Sequence, residues 1–306
     1  MFDAFLQLGI PLACGVLYRF VPDAIAAAEV RRVIGSIVLN VFIPLLTFGA
    51  LSQVHIGEHL WTIPAVSISA VLVGLILSYI VYGWILKGRI GLPTAGALML
   101  AGTWCNAMYL GLPITTAVLG EGARHIPIEY DYLGMTPLLF SVGTMICIRY
   151  GTSDIRSSIA DALYQVATLP PMITIVIAML VNVLDIPIAP WITTSCTSAG
   201  KVVPQLMLFS IGLTLRIPDP RHVLIVFPAV AIRTIIVPLI LLSATIWLIT
   251  DPVVETGAIL ETAMPTMMLT MVFAERYGLD TYVLAQAILA STIVSVFTLP
   301  LLLGFL

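Results

Sequence analysis

"GTWCNAMYLGLPI", residues 102–114, decides how this chain folds. It lies inside a long apolar stretch, yet it holds Gly102, Asn106, Gly111 and Pro113. Gly and Pro are the weakest helix formers, and an Asn side chain brings hydrogen-bonding positions that hydrocarbon leaves unmet. A continuous membrane helix has no use for these residues. A helix interrupted in mid-membrane does, provided that protein or water satisfies the freed backbone groups.

Composition sets the surroundings of that stretch. Hydrophobic residues make up 60% of the 306 and charged residues only 9%, against about a quarter charged in a soluble domain. So little polar surface cannot clothe a globular core, and the solvent is lipid. The net charge of −3 and the lack of a basic run give no footing for nucleic acid. Cys14, Cys105, Cys147 and Cys196 form no CxxC pair and read as small buried hydrophobes, with neither a disulfide framework nor a metal site. The first apolar segment carries Asp3 and no basic leader region, which predicts a retained span.

About 20 apolar residues cross a bilayer. On that measure ten spans are predicted, at 3–20, 29–52, 61–86, 92–120, 132–150, 159–182, 190–215, 222–249, 253–275 and 281–304. The linkers are too short to hold a soluble domain, so residues 1–306 form one transmembrane domain. Ten basic residues (Arg19, Arg31, Arg32, Lys87, Arg89, Arg149, Arg156, Arg216, Arg221 and Arg276) fall on one side, against Arg124 alone on the other. The positive-inside rule then puts both termini outside.

The third and eighth spans match. "PAVSISAVLVGLIL" (64–77) and "PAVAIRTIIVPLIL" (228–241) share eight identities in fourteen at an offset of 164. At an offset of 165, Gly35 meets Gly200 and Asn40 meets Gln205. The chain reads as two five-span copies, 1–152 and 153–306, the second inverted in the membrane because five is odd. Span nine, "ETAMPTMMLTMVFAERYG" (261–278), then pairs with span four and carries Pro265. Interrupted helices at matching places in inverted halves point to a transporter site near the midplane. Gly111, Pro113 and Pro265 are expected to make the breaks, with Asn106 facing a cavity. Half-helix N-termini there suit an anion. A plain proline kink is the alternative for either span alone.

Other polar residues fall in the spans. Arg233 lies near the midplane, with Glu261, one turn before Pro265, as its expected partner; a purely structural ion pair is the alternative. Lys201 is the second intramembrane cation, and its stem can snorkel. Either cation would neutralise a carboxylate substrate, and Glu261 would alternatively carry a coupling proton. Asn40 and Gln205 line the path or bond helix to helix. Thr103, Tyr109, Thr262 and Thr266 flank the breaks and offer hydroxyls to a substrate or to their own backbone. His55 and His59, in "HIGEH", read as a solvated loop, since Glu58 is misplaced for a zinc motif. Glu275 and Arg276 are expected to cap the inner end of span nine.

Five stretches carry a family resemblance: "IGSIVLNVFIPLLTF" (34–48), "NAMYLGLPI" (106–114), "LPPMITIVIAML" (169–180), "AGKVVPQLMLFSIGLTL" (199–215) and "AMPTMMLTMVFAERYGLDTYVLAQAILASTIVSVFTLPLL" (263–302). They resemble, nearly end to end, the auxin efflux carrier family of prokaryotic and plant carriers, which includes the plant PIN proteins. The resemblance implies an all-α fold of ten spans in two inverted repeats, shared with bile-acid symporters, with spans four and nine crossing at their prolines. It implies a scaffold of spans one, two, six and seven that dimerises, and an elevator-like transport unit of the other six. It implies a small organic anion as substrate. Linker 5–6 is short here, unlike the long loop of many plant members, which favours a prokaryotic-type carrier in a plasma membrane.

The expected function is therefore a secondary or potential-driven carrier of carboxylates that is not an enzyme and needs no cofactor beyond a coupling H+ or Na+. The alternative is a sodium-coupled symporter of the bile-acid type. No Ser-His arrangement, HExxH or paired-Asp motif lies within the spans to support an intramembrane enzyme.

Overall fold

A computed structural model of the chain describes residues 2–22, 24–52, 61–152, 164, 167–214, 220–245, 249 and 251–305. Among them there is no β-strand. The principal helices are α1 (Phe2–Tyr18), α2 (Ala27–Leu51), α3 (Thr62–Ile85), α4 (Leu92–Thr103), α5 (Ala107–Leu119), α6 (Glu121–Tyr150) and α7 (Pro170–Val183). They continue as α8 (Pro190–Gly200), α9 (Val203–Thr214), α10 (His222–Ser243), α11 (Pro252–Thr262), α12 (Thr270–Tyr277) and α13 (Thr281–Leu303). Helices α2, α3, α6, α10 and α13 are each long and apolar enough to cross a membrane; α4, α5 and α7 are shorter apolar helices. This is the build of a polytopic integral membrane protein.

Local chemistry sets several helix ends. Asp251 accepts the amides of Val253 (2.8 Å) and Val254 (3.3 Å) at the start of α11. Asp280 accepts from Val283 (3.1 Å) at the start of α13. Both are side-chain N-caps. Proline opens α4, α7 and α8, where its missing N–H costs nothing. Gly278, with φ of 70°, ends α12 in the left-handed conformation.

The helices pack in two groups. In one, α1 lies along α9, and α2 packs on α7, α8 and α9. The α1–α9 contact is close because of two glycines. A Cβ on Gly15 would fall 2.1 Å from the Phe209 carbonyl oxygen, and one on Gly212 would fall 2.2 Å from that of Leu12. Small residues of this kind let membrane helices approach backbone to backbone. Asn182 joins α7 to α2 by donating to the Leu51 carbonyl at 3.0 Å.

The second group gathers α3, α4, α6, α10, α11 and α13. Tyr82 of α3 donates to the Ile225 carbonyl of α10 at 2.8 Å, and Ser67 donates to Tyr130 of α6 at 2.7 Å. Its interior is dense, with Trp104, Phe140 and Phe273 buried. Apolar side chains on the outside of the molecule, such as Ile173, Val176 and Leu180 along α7, are exposed, as a lipid-facing surface requires.

The sequence-based reading needs correction at spans four, five and seven and at one cysteine. Span four is interrupted at Trp104–Asn106, upstream of Gly111 and Pro113, which both lie within the helical run of α5. A π turn at Ala107–Gly111 passes the Leu112 amide back to the Ala107 carbonyl just before Pro113, so the proline is absorbed without a break. Pro265 does lie in an interruption, between α11 and α12. Span five starts at Glu121 rather than 132, because a 3-10 turn at Glu121–Arg124 runs straight into it. Span seven is divided at Lys201–Val202 into α8 and α9. Cys14 is exposed, while Cys105, Cys147 and Cys196 are buried. His55, Glu58, His59, Arg156 and Arg216 lie outside the described residues.

Candidate functional site

The interruptions in spans four and nine meet. Asn106 N–H donates to the Pro265 carbonyl at 2.8 Å, and Met267 N–H donates to the Trp104 carbonyl at 2.9 Å. Between them Cys105 and Thr266 form an antiparallel bridge. Each broken helix thus lends the other one donor and one acceptor. A buried backbone needs such partners wherever the helix ladder stops.

The carbonyls at the ends of α4 and α11 would otherwise be orphaned. Thr266 Oγ1 donates to Ala101 at 2.8 Å, while the Thr266 amide donates to Ser291 Oγ at 3.0 Å. Leu260 receives the Ala263 amide at 3.0 Å, and Glu261 receives that of Met264 at 3.2 Å. The Cys105 thiol also reaches the Glu261 carbonyl, at 3.2 Å. The last carbonyls of both helices go to one side chain. Arg233, in a π turn of α10, donates through Nη1 to Thr103 at 2.8 Å and through Nη2 to Thr262.

Glu261 is fully buried and does not pair with Arg233. Its Oε1 accepts from Thr115 of α5 at 2.7 Å. Its Oε2 has no hydrogen-bond partner among the described residues. The carboxylate lies against Gly111, where a Cβ would fall 2.0 Å from Oε2. Glycine is required there by the close approach of the Glu261 carboxyl group, not to break the helix. Asn106 is buried beside the crossing, and its Oδ1 likewise lacks a partner among the described residues.

A cavity of about 880 Å³ lies between the two helix groups. Leu46, Gly49 and Ala50 of α2 and Thr197, Lys201 and Gln205 of span seven form one wall. Met108, Tyr109 and Leu112 of α5 and Ile128 of α6 form the other. Glu121, Arg124 and His125 lie on the side of the connection from α5 to α6. Lys201 and Gln205 are exposed there, at the division of span seven. Met108 and Tyr109 belong to the first turn of α5, whose amides and dipole favour negative charge. The structure thus brings Tyr109, Lys201 and Gln205 to one cavity. Asn106, Gly111, Glu261, Pro265, Thr266 and Arg233 belong to the crossing, and Pro113 lies within α5. Asn40 is exposed on α2, where Nδ2 donates to the Ser36 carbonyl at 2.8 Å, and it does not line the cavity.

Two features were not anticipated from the sequence. Thr115 had no sequence signal beyond lying one helical turn from Gly111. At the basic end of the molecule, Arg31 of α2 pairs through Nε with Glu275 of α12 at 2.7 Å and donates through Nη1 to Thr214 of α9 at 3.0 Å. Arg31 therefore ties α2 to α12 and α9.

Paired helix breaks and a cavity between two groups of helices define a membrane carrier. A family model described as membrane transport protein, the auxin efflux carrier family, matches residues 12–303, and the chain belongs to that family. It is 26% identical over 276 residues to an uncharacterized transporter of Methanothermobacter thermautotrophicus, covering 89% of this chain and 88% of that protein. It is 24% identical over 282 residues to one of Methanocaldococcus jannaschii, covering 89% of each.

Proposed function

We propose that this membrane transporter carries small organic anions, carboxylates above all, by elevator-type alternating access. The observation that carries this reading is the cavity. It places Lys201, Gln205 and Tyr109 beside the N-terminal turn of α5, a cationic and hydrogen-bonding lining of the kind a carboxylate needs. Its two walls belong to different helix groups, so a sliding of one group against the other would carry a bound anion across.

In this reading α1, α2, α7, α8 and α9 are the scaffold, through which two copies associate, and the remaining helices are the moving unit. The inverted repeat is supported by the reciprocal exchange of backbone hydrogen bonds at the crossing. Both termini face outside, so the cavity opens outward and the Arg31–Glu275 pair closes the inner end. The site works in a plasma membrane without an organic cofactor, and burial of Glu261 beside the crossing makes it the group to carry a coupling proton.

The test is substrate-induced charge movement in proteoliposomes on a sensor membrane, across a panel of mono- and dicarboxylates. A saturable current for one acid, weakened in Lys201→Gln, is expected. No current for any acid from folded protein would sink the anion reading. A current that vanishes without sodium would replace proton coupling with the bile-acid-type scheme.

A further inference from the structure

Arg233 is buried in the middle of an apolar helix, and among the described residues no carboxylate forms an ion pair with it. Glu261, the partner expected from the sequence, is held instead by Thr115. Something else must balance the guanidinium charge. Its two donor arms reach the terminal carbonyls of α4 and α11. A helix C-terminus carries about half a negative charge. Two such ends sum to about one, which is the charge on the guanidinium.

Where helices break inside a membrane, half-helix C-terminal ends and unwound carbonyls are also the usual ligands of a coupling Na+. Here two such ends converge on a cation that is covalently part of α10. We propose that Arg233 is a tethered substitute for a bound cation. It holds the two broken helices together at the crossing, and it occupies the post that a small cation would otherwise take. Removing the side chain should open that post to a free cation. The proposal deepens the carrier reading by assigning the crossing's positive charge to the protein itself.

The experiment is thermal unfolding of purified Arg233→Ala in detergent. Guanidinium chloride, sodium chloride and choline chloride are titrated in the millimolar range at matched ionic strength. The expected result is a saturable rise of a few degrees in the variant with guanidinium, smaller with sodium and absent with choline. Wild type should not respond. A monodisperse variant that responds no differently from wild type overturns the proposal, as does wild type stabilised by sodium to the same extent.

Should Arg233→Ala not be recovered folded, Arg233→Lys and Arg233→Met decide the matter. Lysine keeps the charge and methionine keeps much of the bulk, so lysine should melt higher. Equal melting of the two overturns the proposal. None of these readouts uses a transported anion. Guanidinium rescue together with no carboxylate current would sink the anion reading and leave this one standing.

Discussion

The crossing and the cavity are neighbouring regions that treat polarity in opposite ways. At the crossing, the backbone of residues 104–106 and 265–267 exchanges hydrogen bonds, Arg233 donates to Thr103 and Thr262, and Thr266 bonds Ala101 and Ser291. In the cavity, Lys201 and Gln205 stand exposed to open space. A polar residue inside an apolar span therefore has two uses, to repair a broken backbone or to meet a ligand, and residue type alone does not tell them apart. The sequence places both Arg233 and Lys201 inside apolar spans, yet one is fixed between two helix ends and the other faces a chamber.

That contrast can be broken experimentally. The largest effect is expected for Arg233→Met, which leaves the Thr103 and Thr262 carbonyls buried without their donor. At about 1–3 kcal/mol for each unsatisfied group, the variant should lose much of its thermal stability in detergent. A melting curve matching wild type would show that the crossing holds without its cation. Next comes Gly111→Ala, whose Cβ meets the Glu261 carboxylate; overpacking of this kind costs about 1–3 kcal/mol. Adding Glu261→Ala to it should restore part of the loss, and no recovery would place the strain elsewhere.

On the cavity side, Lys201→Gln should leave melting unchanged and weaken the apparent affinity for a carboxylate about tenfold, equivalent to roughly 1.4 kcal/mol. A loss of stability instead would move Lys201 to the structural class. Arg31→Gln should cost less stability than the changes at the crossing, since both side chains of its ion pair keep some contact with solvent. It should nonetheless raise the labelling rate of a cysteine introduced at the basic end, and unchanged labelling would rule out a closing role.

Much of the architecture is legible in the sequence because hydrophobic run length reports directly on helices in lipid. Pro265 and Asn106 are legible too, since each is a poor fit to a continuous apolar helix. The site of the break in span four is not. Trp104 and Cys105 carry no breaking signal, and the interruption is held open by hydrogen bonds exchanged with the interruption between α11 and α12. Pro113 gave a false signal, because a π turn accommodates it. The partners of Arg233 were hidden for a similar reason. They are backbone carbonyls, which every residue possesses, so only the path of the chain reveals which ones converge. Thr115 and the Arg31–Glu275 pair depend on contacts between distant segments, which no local pattern encodes.

The link from Arg31 to Glu275 and Thr214 has a consequence for kinetics. Both members of the ion pair keep some exposure, 16% and 14% of the side chain. The paired atoms themselves, Arg31 Nε and Glu275 Oε1, are buried, and an attraction shielded from solvent is screened little by dissolved ions. In the carrier reading proposed above, a closing link at this end would therefore keep its strength as ionic strength changes, as the buried crossing would. In a sealed vesicle, the opening of that end would then depend little on the salt on either side.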